Sequence, residues 1–227
     1  MCAILGFTSP SLKKEQVLPY FEKTKSRGPD DTRLEPAGSG MLGFHRLAIM
    51  GLHPEGMQPF HRGGDMAVCN GELYGFRPVK KALEAKGYVF ASDSDCEIIL
   101  PLWQEYGTEM FAGLDAEFAM IIYDSASDSL VAARDPIGIR PLFYGYLADG
   151  SIIFASEAKN LVGLCTHVFP FPPGHYYKDG KFVRYTDLTT VTRYSSDDLD
   201  TVTKKIREKL ISAVEKRLDA DAPLGFP

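Results

Sequence analysis

Short apolar runs alternate with polar, glycine-punctuated stretches along most of the chain. "CAILGFT" near the N-terminus is a compact apolar run closed by "SPS", the pattern of a buried strand. "SLKKEQVLPYFEKTKSRG" carries its apolar residues at helical spacing, with Ser11 as candidate cap and Gly28 as stop. Pro19 lies inside it, so the helix is either kinked there or regular only from the proline onward. "SGMLGFHRLAI" and "DMAVCNGELYG" read as strands that run into glycine turns. "PVKKALEAKGY" and "SDCEIILPLWQEYG" read as short amphipathic helices, the second with Pro101 inside.

Three hairpins follow in the pattern. "EFAMIIYDSASDSLVAARD" is two apolar runs around a polar turn, "PLFYGYLADGSIIFAS" turns near Asp149-Gly150, and "GHYYKDGKFVRY" turns at Asp179-Gly180. After them the chain becomes polar and linker-like over "TDLTTVTRYSSDD". The last predicted element is an amphipathic helix with Val202, Ile206, Leu210, Val214 and Leu218 on one face. No later element is available to cover that face. The pattern therefore predicts a mixed domain of helices and antiparallel sheets over residues 1–188, a linker over 189–198, and the first helix of a truncated second domain over 199–227. No internal repeat is visible.

Composition narrows the choices. The chain has 227 residues, 44% hydrophobic and 24% charged, an ordinary globular balance. Its net charge is −5, with no Lys/Arg-rich run, so nucleic-acid binding has no support. No apolar stretch approaches the roughly 20 residues of a membrane span. The N-terminus has no basic segment followed by a cleavable apolar one, so no signal peptide is expected. The four cysteines and five histidines are scattered, with no CxxC pair, which predicts a reducing, cytoplasmic protein without disulfides and without a metal site.

Several polar stretches sit at strand ends, and each has a plain structural explanation when taken alone. "RGPDD", residues 27–31, is turn chemistry. Arg46 inside "FHRLAI" is either paired or snorkelling, or else a bidentate seat for a carboxylate. Asn70-Gly71-Glu72 is either a turn or an amide side chain and backbone N–H placed to hold an oxyanion. "SDSDCE" is either a helix cap with an acidic first turn or the source of an Asp that receives an ammonium group. Cys2 is either a buried strand residue or, once Met1 is removed, a nucleophile that carries its own amine base. Together they make one site: Cys2 attacks, Asn70 and Gly71 hold the oxyanion, Arg46 binds a carboxylate and Asp95 an ammonium. That describes an amino acid with an electrophilic amide, such as glutamine.

These residues, with "MQPF", "LDAEFAMIIYD", "ARDPIGIRPLFYG", "FASEAKNL" and "FPPGHYY" in order, resemble the class-II glutamine amidotransferases, N-terminal-nucleophile hydrolases. "FHRL", "NGE" and "SDCE" favour the glutaminase half of glutamine-hydrolysing asparagine synthetases over the glucosamine-phosphate and phosphoribosylamine synthases. The resemblance implies an α+β fold, a four-layer αββα sandwich of two mainly antiparallel sheets between helices. It implies that Cys2 is the nucleophile, Asn70 and Gly71 the oxyanion hole, and Arg46 and Asp95 the grip on glutamine. It also places Ile49, Met50 and Glu72 around the glutamine pocket, with Arg27 and Asp30 organising the nucleophile. The reaction implied is hydrolysis of L-glutamine to glutamate and ammonia through a γ-glutamyl thioester. ATP and Mg would belong to a synthetase domain whose "SGGLDS" stretch this chain does not reach, so no cofactor is expected here.

The departures are small: Ala3 after the nucleophile, Gly75 where the family usually has Asn, and the two helix prolines. Family members are often dimers, so a homodimer is one expectation. The alternatives are a non-catalytic glutamine-binding domain of the same fold and the glutaminase domain of another class-II amidotransferase.

Overall fold

The structure is a computed structural model and describes residues 1–223 and 225. Leu224, Phe226 and Pro227, part of the expected start of a second domain, lie outside the described residues. Two six-stranded sheets stack face to face. The first has the order β10 (Val168–Pro170), β8 (Phe143–Tyr146), β9 (Ile152–Ala155), β1 (Ala3–Thr8), β3 (Gly40–Arg46), β2 (Asp31–Ala37). The second runs β12 (Lys181–Arg184), β11 (His175–Lys178), β7 (Ser129–Arg134), β6 (Ala116–Asp124), β5 (Asp65–Leu73), β4 (Phe60–Arg62). All strand pairs are antiparallel.

The apolar run "AILGF" is continuous because β1 is covered on both faces. Ile4 points inward, where it joins Leu42, Phe44, Val68 and Ile121 between the sheets. Leu5 and Phe7 point outward onto Val17 and Phe21. Gly6 lies on the inward face, and a Cβ there would stand 2.8 Å from Leu42 Cδ2 and 3.0 Å from Ile121 Cγ2. Only a glycine lets the sheets approach at that point.

The outer layers are unequal. Helix α1 (Lys14–Phe21) and the 3₁₀ turn Glu22–Arg27 cover the first sheet. Phe21 is fully buried there, so its truncation to Ala should cost about 3–5 kcal/mol. Helices α2 (Phe76–Ala85), α3 (Ile99–Tyr106) and α4 (Met110–Gly113) cover the second sheet through Leu83, Ile99, Leu102 and Phe111. The fold is therefore the αββα sandwich implied by the resemblance.

One capping expectation fails, and the "SDSDCE" stretch keeps its acidic first turn, Asp95 and Glu97, without a side-chain cap. Ser11 does not cap α1, which starts after Lys13; its hydroxyl donates to Asp149 Oδ2 instead. Ser94 makes no side-chain cap before the 3₁₀ turn Asp95–Ile98 that precedes α3. Pro19 is accommodated within α1, and the chain tightens to 3₁₀ three residues later. "RGPDD" is a turn only as far as Asp30, because Asp31 opens edge strand β2. The last predicted helix forms as α5 (Leu199–Lys216), with Ile206, Leu210 and Val214 exposed.

Candidate active site

Cys2 stands just before β1, opposite the end of β3. The register Ala3↔His45 sets its neighbours. Its Sγ accepts the Leu47 N–H at 3.3 Å and lies 3.5 Å from the Leu47 carbonyl. Burial pushes the Cys2 thiol up, while the Leu47 N–H and the adjacent amine pull it down. The thiol therefore needs a base to become a nucleophile.

Arg27 and Asp30 do not line the cleft in front of Cys2; they brace its back. Arg27 Nε donates to the Cys2 carbonyl at 3.1 Å, and its Nη1 pairs with Glu157 at 2.6 Å. Asp30 Oδ2 accepts the Ala48 N–H at 2.8 Å, and Asp30 N–H donates to the Arg46 carbonyl at 3.0 Å. Gly28 permits this bracing, because a Cβ there would sit 2.3 Å from the His45 carbonyl. His45 ties the same segment to β3: its ring stacks on Phe21 at 3.8 Å and bonds the Phe21 carbonyl and Thr32.

The floor of the cleft is the open edge of β5. Phe118 directs its N–H and C=O toward β7, where Asp135 takes both. Phe118 is opposite Gly71, so strict antiparallel alternation turns the main-chain groups of Cys69, Gly71 and Leu73 away from β6. Strand β4 covers this edge only as far as Ala67. The Gln58 side-chain amide then takes both main-chain groups of Cys69, at 2.6 and 3.2 Å. Asp95 Oδ2 accepts the Leu73 N–H at 2.7 Å. Between these two, the Gly71 N–H faces the cleft. Next to it is Asn70, only 2% exposed, with a buried Nδ2 that has no acceptor. A buried amide without a partner is rare in native proteins. Asn70, Gly71 and Cys2 all line the same cleft.

Arg46, Ile49, Met50, Glu72 and Asp95 line that cleft too. Arg46 is 7% exposed and is seated by carbonyls: Nη1 donates to His53 O at 3.1 Å and Nη2 to Gly51 O. No carboxylate among the described residues forms an ion pair with it. On the other side are two carboxylates. Burial raises Asp95 above its usual range, opposed by the Leu73 N–H. Glu72 is pushed up to about 7 by burial, then by the charges of Asp95 and Glu117. A guanidinium on one wall and two crowded carboxylates on the other complement a zwitterion.

Gln58 and Arg140 line the cleft and Glu117 stands beside it, and none of them had a role in the sequence reading. Gln58 completes the β5 edge; only the three-dimensional register reveals that function. Glu117 and Arg140 form an ion pair beside Glu72. Arg140 arrives there because Asp135 gathers the N–H groups of Ile137, Gly138, Ile139 and Arg140 on one carboxylate. The signal available was an Asp five residues before an Arg across a glycine loop. Met1 also lines the cleft, with its sulfur against Arg140. Among the described residues no group of three or more His, Cys, Asp or Glu is placed to hold a metal ion. No helix is long and apolar enough to cross a membrane.

Known proteins share this arrangement of chain. The probable asparagine synthetase (glutamine-hydrolyzing) of Dictyostelium discoideum is 35% identical over 238 residues, covering 99% of this chain and 42% of its own length. The asparagine synthetase (glutamine-hydrolyzing) of Sandersonia aurantiaca is 37% identical, with 98% and 43% covered. The Zea mays enzyme of that name is 36% identical, with 98% and 38% covered. The chain spans about two fifths of the length of these curated relatives. Among solved structures, an allosteric regulatory enzyme of purine biosynthesis superposes with a TM-score of 0.66 at 20% identity, covering 85% of this chain and 50% of that one. The glutamine phosphoribosylpyrophosphate amidotransferase of B. subtilis gives 0.64 at 20%, covering 82% and 49%. At that identity the two structures share the fold. Residues 1–176, which include all of the first sheet and the second sheet as far as the start of β11, match the glutamine amidotransferase domain, and the chain belongs to that family.

Proposed function

We propose that this chain hydrolyses L-glutamine to glutamate and ammonia, with Cys2 as nucleophile after removal of Met1. The observation that carries the reading is the buried Asn70 Nδ2, without a partner among the described residues, next to the Gly71 N–H, with both residues lining the same cleft as Cys2. Two preorganised donors with no acceptor of their own suit an oxygen whose charge develops during reaction.

The steps follow from the geometry. Arg46 takes the substrate α-carboxylate, and Asp95 with Glu72 takes the α-ammonium. This leaves the side-chain amide over β5. The α-amine at the N-terminus lies below its ordinary value through burial, with Arg27 and Arg140 adding to the shift. Removal of Met1 places an α-amine on Cys2 itself, within reach of its own thiol, where it takes the thiol proton. Sulfur adds to the amide carbon, and the oxygen moves onto Asn70 Nδ2 and Gly71 N–H. The amine returns the proton to the leaving nitrogen, ammonia departs, and the C–N bond is replaced by a thioester. Water then adds to that thioester and releases glutamate and the thiol.

The wider reading is also a proposal. Residues 1–188 form the glutaminase unit, 189–198 a linker, and 199–227 the start of a synthetase domain. In such a protein the ammonia would convert aspartate to asparagine in an ATP-dependent step, as the names of the relatives suggest. ATP and Mg would be held by that further domain, and no residue here is assigned to them. A cytoplasmic setting suits a nucleophile that must stay reduced, and all four cysteines are free thiols.

The test is intact mass spectrometry with diazo-oxo-norleucine, alongside a glutamate-release assay. The expected result is a mass lacking Met1, one adduct that is absent in Cys2→Ala, and turnover that is lost in the same variant. A Met1-free chain that gives neither adduct nor glutamate overturns the reading.

A further inference from the structure

We propose that Asp221 is a positioning residue for the amino-acid head-group site. In this role, the segment just after α5 straps down the turn that seats Arg46. The proposal rests on the glutaminase reading above for what the seat binds.

The strap is made of three hydrogen bonds. Asp221 Oδ2 accepts the Gly51 N–H at 2.8 Å, and the N–H groups of Asp221 and Ala222 both donate to the Ile49 carbonyl, at 3.1 and 3.0 Å. Gly51 is also the residue whose carbonyl receives Arg46 Nη2. One peptide therefore passes from the strap to the guanidinium: Asp221 holds its N–H end and Arg46 leans on the carbonyl of the same residue. The turn has little freedom to adjust. Gly51 has φ +57, and a Cβ there would lie 2.7 Å from the Ser94 N, next to Asp95. Gly56 closes the other side, since a Cβ on it would meet the Gly51 oxygen at 2.3 Å. A shift of Gly51 is thus felt by both walls of the head-group site.

The strap is itself anchored to the second sheet's helical layer. Arg77 on α2 pairs with Asp219 at 2.9 Å, Arg217 stacks over Tyr74, and Ala220 packs on the core cluster that contains Met50. The turn from Leu47 to Leu52 has no regular secondary structure. These external bonds, from residues about 170 positions later in sequence, stand in for it. An effect at Asp221 should therefore appear in recognition of the substrate's α-carbon groups and not in the chemistry at Cys2.

The experiment compares Asp221→Ala and Asp221→Asn in the full chain. Three readouts are taken: glutaminase kinetics, inhibition by glutamate, and hydrogen exchange of the Gly51 amide. Glutamate shares the head group but has no reactive amide. Loss of one such hydrogen bond corresponds to about a 3- to 10-fold effect. In Asp221→Ala, KM for glutamine and Ki for glutamate should rise together by that factor, with kcat within about twofold of wild type. Gly51 exchange should accelerate by a similar factor. Asp221→Asn retains an acceptor oxygen and should restore most of all three.

Equal exchange at Gly51 in wild type and Asp221→Ala overturns the strap, whether or not the chain turns over glutamine. Faster exchange with unchanged KM and Ki overturns the positioning role. Failure of the glutaminase reading looks different: wild type itself gives no glutamate and no adduct, while the exchange result still decides the strap.

Discussion

Replacing Asn70 with alanine separates two energies that act at one atom. Asn70 Nδ2 is buried, and no acceptor among the described residues reaches it. In the resting protein that donor costs about 1–3 kcal/mol of unrecovered desolvation. Truncation removes the cost and leaves a small cavity worth about 1 kcal/mol in the opposite direction. The net change in stability should therefore lie between zero and a gain of about 2 kcal/mol. The transition state responds in the other sense. A donor in a water-poor cleft, with nothing to reorganise, is worth about 2.7–4 kcal/mol to a developing oxyanion, a 10²- to 10³-fold factor in kcat. In the proposed reading KM should change little, because Arg46, Asp95 and Glu72 would hold the distant end of the substrate. The assay pairs steady-state glutamate release with denaturant unfolding of Asn70→Ala and wild type. Loss of more than about 2 kcal/mol of stability with kcat preserved would refute the reasoning and make Asn70 a structural residue.

Two further outcomes follow from groups around the same cleft. Glu72 ionises near 7 in the fold against an ordinary 4.5, so between those values the unfolded chain releases its proton first and stability falls as pH rises. Glu72→Gln should match wild type at pH 4 and exceed it at pH 8 by about 1–2 kcal/mol after solvent screening of a half-buried group; melting curves at the two pH values that do not diverge would contradict this. Gly28→Ala would force a Cβ to 2.3 Å from main-chain atoms of His45, with nothing flexible to yield. It should cost about 1–3 kcal/mol or more, whereas Gly113→Ala, with open space around it, should be near neutral; equal melting temperatures for the two variants would count against the close approach.

Much of the sheet framework was legible because most central strands carry unbroken apolar runs, and the hairpin turns at Asp149-Gly150 and Asp179-Gly180 carry turn chemistry. The edges were not. Strand β2, "DTRLEPA", buries only Leu34 and Ala37, and its polar alternation with a proline reads as loop. Strands β4 and β10 are three residues long, too short for a period to show. The cap expected at Ser11 failed for a tertiary reason. Ser11 found a carboxylate from a hairpin 138 residues away, so a tertiary partner replaced the local one. The candidate site was readable as residue types at strand ends, and Cys2, Arg46, Asn70, Gly71, Glu72 and Asp95 do line one cleft, with Arg27 and Asp30 behind it. The support behind them was not. Gln58, Asp135 and Asp221 act through main-chain groups whose direction depends on register.

That register has a further consequence for what the protein cannot bind. An uncovered strand edge ordinarily invites another strand, as a peptide ligand or as the start of an aggregate. On β5 the Gln58 amide and the Asp95 carboxylate claim the positions on either side of Gly71. A visiting peptide would need every second residue to exchange bonds along the edge and would find those places taken. What remains between them is the main chain of Gly71, so the edge offers no continuous ladder to a polymer.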